Sequence, residues 1–207
     1  YGFKDLTALL LNKGVDINAK TTNGSTVLHL AVKKKDGPLI QFLVNKGANL
    51  EAKSKKGYTP LHNAIFTYDL SIIKTLLING ADIDAKEKKD NTPLHIAVQT
   101  RRVPIVEFFL NNGAKITAKN KDGYEPIHFA ARSSLKIVKL LINKDVNLEA
   151  RTNRNYTPLH IALQYRYTNI ARYLINRGVN IRAKTLGGET PLHFAIRAGF
   201  TDLYHSL

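Results

Sequence analysis

Thr59-Pro60-Leu61-His62-Asn63-Ala64 is one of six related hexapeptides in this 207-residue chain, and their spacing decides the fold. The others read Thr26-Val27-Leu28-His29-Leu30-Ala31, then TPLHIA from Thr92, EPIHFA from Glu125, TPLHIA from Thr157 and TPLHFA from Thr190. Their histidines stand at 29, 62, 95, 128, 160 and 193, so the steps are 33, 33, 33, 32 and 33 residues. A fixed period of this size marks a stack of like supersecondary units, each burying its apolar face against the next.

Residues 53–85 give one unit from local chemistry. Thr59 suits a helix N-cap, and Pro60 suits the first helical position, where no amide proton is needed. Leu61, Ala64 and Ile65 then line a short first helix. The chain turns at Tyr68-Asp69, and from Leu70 a second helix presents Ile72, Ile73, Leu76 and Leu77 as one apolar stripe. Asn79-Gly80 ends it, and a polar tip leads to the next copy. The pattern predicts a single array over residues 1–207, cut from a longer one. It holds a partial repeat at 1–19, five full repeats over about 20–183 and a partial last repeat at 184–207. Repeat four departs most, with Glu125 for the capping Thr, one residue fewer around Arg132-Ser133-Ser134, and Asp145 for the helix-ending Gly. A soft joint is expected there, near residues 125–150.

The period, the TPLHxA motif, Ile137-Val138-Lys139-Leu140-Leu141 in a second helix and the tail Asn79-Gly80-Ala81-Asp82-Ile83-Asp84-Ala85 resemble ankyrin repeats, and the resemblance covers the whole chain. It implies an all-α solenoid of helix-turn-helix units with β-hairpin or loop tips. It also implies a concave face made by the tips and first helices, and protein binding without catalysis. In its Lys, Asn and Ile content the array resembles two kinds of protein. One is the secreted effectors of intracellular bacteria, which would place it in a host cytoplasm. The other is the repeat region of latrotoxin-like pore-forming toxins, which would place it outside cells.

Composition excludes several functions. Cysteine is absent, which removes disulfides, zinc-thiolate sites and thiol catalysis. No apolar run approaches the roughly 18 residues of a spanning helix. Six of the seven histidines belong to the hexapeptides; at about 10 Å per stacked repeat no two can share a metal. No HExxH, GxSxG or phosphate loop ending in GK[ST] is present, and Glu51, Glu87, Glu107 and Glu149 recur without converging. No enzyme activity, cofactor or metal site is expected.

The charge points to a partner. Thirty-one Lys and Arg against 16 Asp and Glu leave a net +15, which favours acidic surfaces. A cation follows each tail alanine: Lys20, Lys53, Lys86, Lys119, Arg151 and Lys184. Lys55, Lys56, Lys88, Lys89, Lys121 and Arg154 flank this column, and Arg101 and Arg132 end first helices. Tyr58, Phe66, Tyr124, Tyr156 and Tyr165 mix in, and Arg with Tyr dominates protein hot spots. By resemblance the column lies on the concave side, and these residues are the expected partner-binding set; solvated filler is the other reading of the lysines. A repeat of about 10 Å matches seven residues of α-helix or three of an extended peptide, so an acidic helix or peptide would register with the repeats. Nucleic acid ranks behind protein, because no RNA- or DNA-reading motif accompanies the basic stripe.

Overall fold

The computed structural model describes residues 2–199, with side chains from residue 5 onward. The end of the partial last repeat, residues 200–207, lies outside the described residues. Contacts divide the chain into two compact units, Tyr1–Lys88 and Lys89–Leu207. Among the described residues there are helices, turns and loops but no strand.

The first unit holds α1 (Gly2–Asn12), α2 (Val27–Lys34), α3 (Gly37–Asn45), α4 (Pro60–Thr67) and α5 (Leu70–Ile78). Helices α2 and α3 form one helix-turn-helix, α4 and α5 the next; α2 packs on α4, and α3 on α5. The second unit holds α6 (Pro93–Gln99), α7 (Val103–Asn111), α8 (Pro126–Ala131), α9 (Leu135–Ile142), α10 (Pro158–Gln164), α11 (Thr168–Asn176) and α12 (Pro191–Ala198). There α6, α8, α10 and α12 pack in succession, as do α7, α9 and α11.

Helices of six to nine residues are too short to persist alone, so packing must hold them. Leu28, Leu61, Leu94, Ile127 and Leu159, one period apart on first helices, are all buried. Leu43, Leu76, Phe109, Leu141 and Leu174 do the same on second helices. The equivalent positions in the first and last described repeats are less covered, with Leu10 48% exposed and Leu192 42% exposed.

The motif histidines His29, His95 and His128 tie their repeats to the next, whereas His160 Nε2 is buried without a hydrogen-bond partner among the described residues. The backbone N–H of the cap residue donates to its histidine Nδ1, at 3.2 Å for Thr26 and 3.0 Å for Glu125. The ring proton therefore sits on Nε2, which donates across the repeat boundary. His29 reaches the Tyr58 carbonyl at 2.9 Å and His95 that of Tyr124 at 3.0 Å. His128 reaches Ala150 at 3.0 Å and Tyr156 at 3.2 Å.

Of the two tip forms expected, hairpin or loop, the described tips are loops. Each closes on itself, as in Ser54 N–H to Tyr58 O at 3.0 Å and Gly57 N–H to Ser54 O at 2.8 Å. Successive tips are joined by bonds such as Lys55 N–H to Asn23 O and Asn153 N–H to Asp122 O, which are too few for a ladder. In repeat four Asp145 takes the left-handed conformation (φ 56°), and Ser134 Oγ accepts from Ile137 N–H at 3.4 Å to cap α9. Glu125 is buried; its Oε1 lies 3.9 Å from Lys119 Nζ, while Oε2 has no hydrogen-bond partner.

Candidate functional site

Cations of the column occupy one register position, and several brace the stack. Lys20 Nζ donates to the Lys53 carbonyl at 3.1 Å, and Lys53 Nζ to that of Lys86 at 2.8 Å. In the second unit Lys119 Nζ stands 3.5 Å from the Arg151 carbonyl, and Arg151 Nη1 donates to Lys184 O at 2.9 Å. Each bond runs from one repeat to the equivalent residue of the next. A lysine spends one of three donors this way, so its exposed ammonium keeps two and its full charge. Lys20, Lys53, Lys86, Lys119 and Lys184 are exposed and Arg151 is half-buried. Lys55, Lys56, Lys88, Lys89, Lys121 and Arg154 are exposed at the tips.

The aromatic residues are only partly free. Tyr58 stacks on His62 (centroids 5.7 Å apart) and on Phe66 (5.8 Å). Tyr124 packs on His128 and Phe129, and Tyr156 on His160 and Phe194. These tyrosines are half-buried, whereas Phe66 and Tyr165 are 42% and 47% exposed. Arg132 lies over the Phe129 ring at 4.8 Å and the Tyr165 ring at 5.3 Å, and its Nη1 donates to Tyr165 Oη at 3.4 Å. Arg101 Nη2 donates to Tyr167 Oη at 2.8 Å, so this exposed guanidinium is also tethered.

In the second unit, two tips and the end of α10 enclose an open cavity of about 360 Å³. Tyr124, Tyr156, Tyr165 and Arg154, all in the expected binding set, line it together with Asp122 and Gln164. The last two escaped sequence reasoning. Asp122 reads as an ordinary tip residue, and Gln164 as a polar helix end; only the tertiary approach of tip to helix joins them. In the first unit Phe66 lines a more apolar cavity of about 400 Å³ with Lys33, Lys35 and Tyr68.

Ankyrin repeats, as a three-copy profile, match residues 1–87, 38–120, 64–152, 94–185 and 145–207. The chain belongs to the ankyrin-repeat family. This ankyrin array is similar to the solved ankyrin repeat domain of Bcl-3, described as a unique member of the IkappaB protein family. The two share 29% identity at a TM-score of 0.82, over 93% of this chain and 87% of that one. No curated protein sequence matches the chain. Ankyrin arrays are in general interaction modules without catalysis, and the match supports a protein–protein interaction scaffold.

No group of three His, Asp or Glu side chains among the described residues is placed to hold a metal ion. Burial, the largest influence, pushes His128 and His160 down to about 4, so both rings are neutral structural groups at ordinary pH. Two carboxylates that sequence reasoning left as surface positions are also structural. Glu51 Oε1 accepts from Asp82 N–H at 2.8 Å, and Glu149 Oε1 from Asn180 N–H at 2.7 Å. No helix among the described residues is long and apolar enough to cross a membrane.

Proposed function

We propose that this array is a non-enzymatic scaffold that binds a partner protein through an acidic segment lying along the tips and first-helix ends. The observation that carries the proposal is the bracing of the column. Lys20 and Lys53 each hold the carbonyl of the next repeat, so their charges are fixed in register while the ammonium remains exposed. Fixed, solvent-facing donors lose less side-chain entropy on binding than free lysines do. Tyr58 and Phe66 in the first unit, and Arg132 with Tyr165 in the second, add stacked, ordered surface. A positive stripe attracts nucleic acid as well, but no base-reading element accompanies it, and family membership favours protein.

The test is fluorescence anisotropy with a labelled (Glu-Ser-Gly)7 peptide, which places a carboxylate at every third extended residue. (Gln-Ser-Gly)7 and a labelled oligo-dT serve as comparators. Binding of the glutamate peptide alone is expected. It should weaken at least tenfold in the Lys53→Gln/Lys86→Gln/Lys119→Gln variant, in which glutamine keeps a donor but removes the charge. Equal affinity in that variant would show the column to be a brace only, and stronger binding of oligo-dT would overturn the protein reading.

A further inference from the structure

The cavity of the second unit differs chemically from the column beside it. In the column, Lys119 and Arg151 reach carbonyls of the next repeat. By contrast, the side chains of Arg154, Asp122 and Gln164 make no hydrogen bond or ion pair with any described residue, although all three line one cavity. The phenol oxygens of Tyr124 and Tyr156, in the same walls, are unbonded too. A guanidinium, a carboxylate and an amide that line one cavity, none bonded to another, form a set of directed groups facing solvent.

The walls around them are held in place. Arg132 stacks on Phe129 and Tyr165 and bonds the Tyr165 phenol, fixing that side. Tyr124 is wedged against His128 and Phe129, and Tyr156 against His160 and Phe194. Rigid tyrosines around a few convergent polar groups cost little entropy when a ligand binds. The volume of about 360 Å³ lies within the range of small-ligand sites.

We propose that this cavity is the anchor subsite of the recognition face and takes one Asp or Glu residue of an extended partner segment. The residue's carboxylate pairs with Arg154 and its backbone N–H with Asp122. The opposite charges in the lining set this choice. A bare anion would meet Arg154 but be repelled by Asp122, whereas an acidic residue in a chain brings a donor beside its carboxylate. Gln164 offers both an acceptor and a donor to the next peptide unit. Arg with a carboxylate forms the directional, two-bond pair that a lysine column does not supply. The inference rests on the acidic-segment reading above and locates where that segment is gripped.

The experiment uses the labelled (Glu-Ser-Gly)7 peptide on the full array with Arg154→Ala, Gln164→Ala and, as a charge-matched comparison, Arg182→Ala. Arg182 is exposed in the tail after α11. Circular dichroism checks that each variant is folded, and ¹³C-tyrosine NMR follows the phenol signals. Arg154→Ala is expected to weaken binding at least tenfold, Gln164→Ala about threefold and Arg182→Ala less than twofold. Tyr124, Tyr156 and Tyr165 signals should shift first in the titration. If the peptide binds but Arg154→Ala and Arg182→Ala lose affinity equally, or tyrosines elsewhere respond first, the anchor subsite is wrong and the acidic-segment reading stands. If the wild-type array does not bind the peptide, both are overturned.

Discussion

Replacing His128 with leucine removes a ring that bonds both its own repeat and the next. Its Nδ1 accepts from Glu125 N–H at 3.0 Å, and its Nε2 faces the Ala150 and Tyr156 carbonyls at 3.0 and 3.2 Å. The site is fully buried, so leucine leaves those backbone groups without water or a partner. At about 1 kcal/mol for each hydrogen bond, and more where the orphan stays buried, the loss comes to about 3–5 kcal/mol. His193 supplies the comparison. It is exposed and bonds only its own cap, Thr190, whose N–H donates to Nδ1 at 3.2 Å. His193→Leu should cost about 1 kcal/mol. Urea unfolding followed by far-ultraviolet circular dichroism reads the difference. With a slope of about 2 kcal/mol per molar, the His128 variant should lose about 2 M in midpoint and the His193 variant about 0.5 M. Equal shifts in the two variants would refute the claim that the motif's stabilisation comes from the bond to the next repeat.

Three further outcomes are expected. Burial holds His128 and His160 near about 4 against an ordinary 6.5, so the folded pKa lies below the unfolded one. Stability should be intact above pH 6.5 and fall between 6.5 and 4, each ring adding a slope of about 1.4 kcal/mol per pH unit. A thermal midpoint flat across that window would contradict it. Burial raises the Glu125 carboxyl above its ordinary range, with Lys119 opposing, so its ionisation opposes folding as pH rises. Glu125→Thr, the residue of the other copies, should therefore raise stability by about 1–2 kcal/mol at neutral pH, and the gain should shrink in acid; an unchanged urea midpoint would count against it. Gly123→Ala would put a Cβ within 2.6 Å of the Asn153 backbone nitrogen at φ +76°, whereas Gly113→Ala at φ +82° meets nothing within 4 Å. Both carry about 1–2 kcal/mol of left-handed strain. Only Gly123→Ala should also raise hydrogen exchange at Asn153, whose amide bonds the Asp122 carbonyl.

Periodic features were legible in the chain because they repeat. The Thr and Pro at each helix start, the apolar stripe of Ile72, Ile73 and Leu76, and the left-handed residues at 80 and 145 follow from local rules of capping, helical spacing and backbone sterics. The common register of the six cations also came from spacing, since every copy places them alike. What a side chain does with its charge did not. Lys53 reads as a surface charge, yet its ammonium reaches a carbonyl 33 residues on. Glu51 reads only as one of four recurring carboxylates, yet it accepts from the backbone of the next tail. Asp122 and Gln164 are unremarkable in sequence and line one cavity only because stacking brings tips beside the end of α10. Position along the chain fixes the unit and its period. Stacking alone decides which groups are consumed as braces and which, like Arg154, are left facing solvent with their donors unspent.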